Sequence, residues 1–120
     1  MKQLNTQQIR AALKHEPNFL NVYALDQLLH LALPQDTTEI KLVANLQPSN
    51  LPGNHWIAIY RRPSDGRGYY FDSFGRSPPI AIQRWLTIHC NNWTFNNLCI
   101  QSRNNTVLCG YLCIKFLKLV

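Results

Sequence analysis

A chain of 120 residues, 46% apolar and 15% charged, fits one domain with a buried core, and its composition excludes a disordered or low-complexity protein. The formal net charge is +6, from twelve Lys and Arg against six Asp and Glu; the basic residues are scattered, which excludes a basic arm but leaves a folded surface able to meet a polyanion. No apolar run reaches the ~18 residues of a membrane span. The opening MKQLNTQQIRAALKHE lacks the apolar stretch of a signal peptide, so the chain reads as not secreted and made in a reducing compartment.

In chain order, Asn5 and Gln8 have the spacing of a capping box, which predicts a helix over 6–14 with Ile9, Ala12 and Leu13 on its apolar face. Pro17 and Asn18 end it. The segment 19–33, FLNVYALDQLLHLAL, has mixed periodicity and reads as an irregular, core-contacting stretch that includes a short helix. IKLVANL (40–46) predicts a strand. HWIAIYRR (55–62), the turn-rich PSDGRG and YYFDSF (69–74) predict a β-hairpin over 55–74. Pro79 stands in the first turn of a following helix, with Ile82, Trp85 and Leu86 on its inner face. TFNNLCIQ (94–101) predicts a strand. In the last segment Cys109, Leu112, Cys113, Phe116, Leu117 and Val120 recur at helical spacing, the mark of a helix with one buried stripe. The expected fold class is α+β in a single domain, 1–120.

The four cysteines, Cys90, Cys99, Cys109 and Cys113, form no CxxC pair, so no metal site is expected. Thiol nucleophiles act as thiolates, favoured by a helix N-terminus and a histidine partner. Cys109 opens the clearest predicted helix, and Gly110 after it leaves room for a substrate backbone. Of His15, His30, His55 and His89, only His55 opens a strand whose hairpin partner ends in a carboxylate, Asp72. Folding the hairpin makes His55 and Asp72 cross-strand neighbours, the arrangement in which a carboxylate orients an imidazole base. Gln101 lies upstream of Cys109 and, with the Cys109 amide, is a candidate oxyanion donor. Each residue alone also has an ordinary reading: a small core thiol, a turn aspartate, a solvated glutamine.

Taken together, His55-Trp56-Ile57-Ala58, Tyr70-Phe71-Asp72-Ser73-Phe74-Gly75, Gln101-Ser102 and Cys109-Gly110-Tyr111-Leu112-Cys113 resemble adenain, the adenovirus protease, and the related proteases of Polinton/Maverick elements and virophage-like viruses. Pro17-Asn18-Phe19-Leu20-Asn21-Val22-Tyr23 extends the likeness upstream. The resemblance implies a rearranged papain-like α+β fold, with a mixed sheet packed on a C-terminal nucleophile helix. It also implies a cysteine endopeptidase in which His55 is the base, Asp72 the orienting acid, Gln101 an oxyanion donor and Cys109 the nucleophile. Its substrates would be viral or element-encoded precursor (capsid) proteins, cut during particle maturation in the virion or in the host nucleus or cytoplasm. No cofactor is required for the chemistry. DNA and a viral peptide are the family's activators, and Cys90 falls near the cysteine to which that peptide is anchored. A monomer without membrane contact is expected.

Two departures stand out. Eight positions separate Gln101 from Cys109, one more than the family pattern, and the chain stops eleven residues after Cys109. The second reads as a compact member or one truncated at the C-terminus. The competing readings are a protease that deconjugates SUMO or another ubiquitin-like protein, and an inactive remnant of a viral protease.

Overall fold

The computed structural model describes residues 3–33, 38–48, 50, 55–97 and 108–120. Helix α1 (Thr6–Leu13) begins at Asn5, whose side chain accepts the Gln8 N–H at 2.8 Å while Gln8 Oε1 accepts the Asn5 N–H at 2.9 Å. Its buried residues are Ile9 and Leu13. Strand β1 (Phe19–Tyr23) and helix α2 (Leu25–Leu29) follow. Then come β2 (Ile40–Asn45), β3 (Trp56–Arg61), β4 (Arg67–Phe71), α3 (Ile80–His89), β5 (Asn92–Phe95) and α4 (Cys109–Leu119).

The strands form one sheet in the order β1-β2-β3-β4-β5. The inner pairs β2–β3 and β3–β4 are antiparallel, and both edge pairs are parallel. This is the mixed sheet and α+β architecture expected from the sequence. Every residue of β2 and β3 is buried, because both faces of the sheet are covered. Ile57, Ile59, Leu42, Ala44 and Tyr70 join Leu28, Ile82, Trp85 and Leu86 in one core. Trp56, Ala58, Tyr60, Val43 and Phe71 join Ile9, Leu13, Cys109, Cys113 and Leu117 in the other. Strand alternation therefore divides each central strand between two cores.

Two cationic side chains trapped by this double cover, Lys41 and Arg61, are hydrogen-bonded. Lys41 Nζ donates to Glu16 Oε1 at 2.9 Å and to the Val120 carbonyl at 3.1 Å. Arg61 donates through Nε to the Thr38 carbonyl and through Nη1 to the His89 carbonyl.

Three expectations differ from the structure. Residues 19–23 form a parallel edge strand where an irregular stretch is expected. Its register shifts between Phe19 and Val22, and it is entered through Asn18 at φ 64°, a left-handed conformation asparagine tolerates; the shift blurs the period-two pattern. The last strand begins at Asn92 and ends at Phe95, while 98–101 of the expected strand lie outside the described residues. Gly110 faces the core, where an added Cβ would stand 3.2 Å from Leu4 Cβ and from Trp56 Cδ1. It serves close packing of α4 and leaves no opening for a substrate.

Gly68 on β4 is more tightly bound to its neighbour. A Cβ there would lie 2.5 Å from Cys90 Sγ and 3.0 Å from Cys90 Cβ. Gly68→Ala is expected to lower stability by about 1–3 kcal/mol through overpacking, and Cys90→Ala in the same chain to restore part of it. Urea unfolding of the single and double variants checks both.

Candidate active site

The mouth of the β3–β4 hairpin is built by its own register. The ladder runs from Arg61↔Gly68 to Ala58↔Phe71, then both chains leave it, His55 on one side and Asp72 on the other. His55 Nε2 lies 2.8 Å from Asp72 Oδ1, and both residues are buried. Asp72 Oδ1 also accepts the Phe74 N–H at 2.8 Å, and the Asp72 carbonyl accepts the Gly75 N–H at 2.7 Å. The resulting tight turn ends on Gly75 at φ 72°, a value that suits glycine. The Asn96 side chain takes up the Asp72 backbone, accepting its N–H at 2.9 Å and donating to its carbonyl at 2.6 Å. The Phe74 ring stacks on the His55 ring with centroids 4.8 Å apart and planes at 13°. Arg76 covers Phe74 and brings Nε to 3.5 Å from Asp72 Oδ2.

These contacts set the charges. Burial acts to lower the His55 pKa. The hydrogen bond with Asp72, an interaction with Cys109 and the charges of both outweigh it, and the value rises from 6.5 to about 9. For Asp72 burial acts upward, but the bonds from His55 and the Phe74 amide prevail and hold the carboxyl below its ordinary value. With Nε2–H directed at Asp72, the neutral ring presents an acceptor lone pair at Nδ1. That nitrogen is buried without a hydrogen-bond partner among the described residues.

Cys109 begins α4, after Leu108 as N-cap. Its sulfur accepts the backbone N–H of Trp56, next to His55 in the chain, at 3.4 Å. The Trp56 indole is fixed by its own bond to the Leu4 carbonyl at 3.0 Å. The structure thus brings His55, Asp72 and Cys109 together. Cys109 is 0% exposed, so a reagent reaches the sulfur only after local movement.

Gln101 lies outside the described residues. Cys90 follows α3 and is buried, and burial pushes its thiol up to about 11; a thiol so placed is poorly suited to exchange with a peptide. Cys113, one turn into α4, is buried and its pKa is raised well above the ordinary value by desolvation, as for an inert core thiol. Phe74, Asn96 and Arg76 escape the sequence reading. Phe74 stands within a quoted motif, but nothing in the sequence assigns it to the imidazole face, and no spacing rule links Asn96 to Asp72. Among the described residues no group of three or more His, Cys, Asp or Glu side chains is placed to hold a metal ion.

The chain combines a mixed five-stranded sheet with a C-terminal helix carrying Cys109. Two solved structures share this fold: the crystal structure of the ASFV pS273R protease, with a TM-score of 0.63, 21% identity and 99% of this chain covered, and that of its Se-Met form, with a TM-score of 0.58, 20% identity and 99% covered. At these identities the likeness is one of fold. The chain spans 59% and 60% of the length of those two chains. No family model matches the sequence, and no curated protein matches it.

The raised His55 pKa ties stability to pH. Its imidazolium contributes fully below 6.5, and the contribution is lost as pH rises through about 9. The Asp72 contribution has the opposite sign, complete above the ordinary 3.8 and lost as pH falls through its depressed value. Urea midpoints of the wild type and His55→Gln should therefore converge between about pH 6 and pH 10. Ring-nitrogen NMR should place the His55 midpoint near 9 and show it falling by about one unit or more in Asp72→Asn.

Proposed function

We propose that this chain is a cysteine endopeptidase with Cys109 as nucleophile, His55 as general base and Asp72 as the group that orients His55. The observation that carries the reading is the Cys109 sulfur held at 3.4 Å by the Trp56 amide, beside an imidazole that Asp72 fixes from its far nitrogen. The fold shared with the ASFV pS273R protease supports it. In the proposed reaction the thiol proton has already passed to His55 Nδ1, as the raised His55 pKa favours, and the Cys109 thiolate attacks the scissile carbonyl. The imidazolium then protonates the departing amine, leaving a thioester on Cys109. A water that gives its proton to His55 hydrolyses the thioester and restores the thiol. Asp72 holds Nε2–H throughout and stabilises the imidazolium. The Cys109 amide at the helix start and the Gln101 side chain are the proposed oxyanion donors.

The substrates proposed are precursor proteins of a virus or mobile element, as the resemblance to adenain implies. DNA as an activator rests on the same resemblance and on the +6 charge.

Cys109→Ala is expected to abolish both cleavage and thiol alkylation. His55→Ala should lower kcat/KM by roughly a hundred- to ten-thousand-fold. Asp72→Asn should cost less, because an amide still orients the ring. Cys113→Ala should leave activity and cost about 1 kcal/mol of stability. Incubation of the purified variants with capsid precursors of the same genome, followed by mass spectrometry, measures the first three effects. A Cys109 that alkylates no faster than free cysteine would instead mark a non-catalytic remnant. For DNA, cleavage rate and duplex affinity should fall together along a salt series; binding without a change in rate removes DNA as activator.

A further inference from the structure

A cavity of about 260 Å³ opens beside Trp56, where the ends of β1 and β2 meet the starts of α1 and α2. Asn45, paired in register with Trp56, is 3% exposed and lines it. Asn45 Oδ1 is used by the Gln47 N–H at 2.9 Å. Its Nδ2 is buried and has no partner among the described residues. Gln27, also in the lining, spends Oε1 on the Ala24 N–H at 2.9 Å, which leaves its Nε2 donor. Arg10 is anchored at Nε by Asn21 Oδ1 at 2.8 Å, leaving the two terminal nitrogens of its guanidinium. Among the described residues no carboxylate lines the cavity; Asp26 precedes Gln27 in α2 but is not part of the wall. Of the three side-chain amides in the lining, Asn45 and Gln27 thus have their oxygens occupied by backbone and N–H groups left over, beside one full positive charge; Gln47 is the third. Such a set asks for an acceptor bearing one negative charge.

Trp56 joins this cavity to the sulfur. The residue forms part of the wall, and its backbone N–H meets Cys109 Sγ. We infer that the cavity is a specificity pocket that receives the side-chain carboxylate of an aspartate or glutamate of the bound peptide, with Arg10 and Asn45 Nδ2 as its donors. The inference rests on the peptidase reading, and it makes acidic segments near the scissile bond the preferred substrates. Asn45 supplies a buried, directional bond and Arg10 the charge.

Binding and turnover separate the two readings. Labelled peptides carry glutamate, or the isosteric glutamine, at each position in turn around a small-residue cleavage site. Affinity is measured on Cys109→Ala protein and cleavage on the unmodified chain. At one position the glutamate peptide should bind about tenfold more tightly than its glutamine counterpart. Arg10→Glu should erase that preference, and the milder Arg10→Gln should reduce it. Equal affinity at every position, absence of binding included, or a preference that survives Arg10→Glu, overturns the pocket. Glutamate-selective binding without cleavage by the unmodified chain supports the pocket and overturns the peptidase reading. Cleavage with no acidic preference does the reverse.

Discussion

Strand β3 is held from both sides, and the site depends on that constraint. All six of its residues are buried; Ile57 and Ile59 are fixed by the core under α2 and α3, and Trp56, Ala58 and Tyr60 by the core under α1 and α4. Sliding the strand by one residue would exchange the two sets and drive each into the wrong core. Its first residue therefore has a fixed height against α4, which sets the Trp56 amide on the Cys109 sulfur and His55 at the hairpin mouth. Stacking of Phe71 on Phe116, with centroids 4.8 Å apart and planes at 8°, fixes the same helix against β4.

A buried histidine–carboxylate pair costs desolvation that its own attraction does not reliably repay. The hairpin mouth supplies what else is needed: the Phe74 amide on Asp72 Oδ1, Arg76 near Oδ2, and Asn96 on both backbone atoms of Asp72. With these in place both groups favour their charged forms. Tyr70 and Cys113, close by but without such partners, have pKa values raised by desolvation, which keeps them neutral. The same sheet thus holds a charged pair and neutral core groups within a few residues of one another, and the difference lies in local hydrogen bonding.

The legible parts of this structure are those whose signals are local. Asn5 and Gln8 announce α1, alternation and a turn-rich hexamer announce the hairpin, and the apolar stripe from Cys109 announces α4. The proximity of His55 and Asp72 follows from the hairpin alone. What the sequence hides is set by distant packing. Strand β1 carries a register shift that spoils its period, and Gly110 is explained only by the Trp56 and Leu4 atoms beside it. Asn96 acts as a further strand rung although its partner is twenty-four positions away. Asn45 reads as an ordinary strand end until its Nδ2 is found buried without a partner among the described residues, in a residue that lines the cavity. The likeness to adenain rests on motifs, whereas the solved structures reported above match by shape.

The separations along the chain also order assembly in time. His55 and Asp72 are seventeen positions apart and joined by a hairpin, a short loop that closes early. The Trp56–Cys109 bond spans fifty-three positions and needs α4, which emerges after every strand of the sheet. A nascent chain folding from its N-terminus would hold the imidazole and carboxylate in place before it possesses the sulfur. On the peptidase reading, the ribosome-bound chain is thereby incapable of cutting itself or its neighbours until synthesis has passed the sheet. Proteolytic competence then waits on the synthesis of α4.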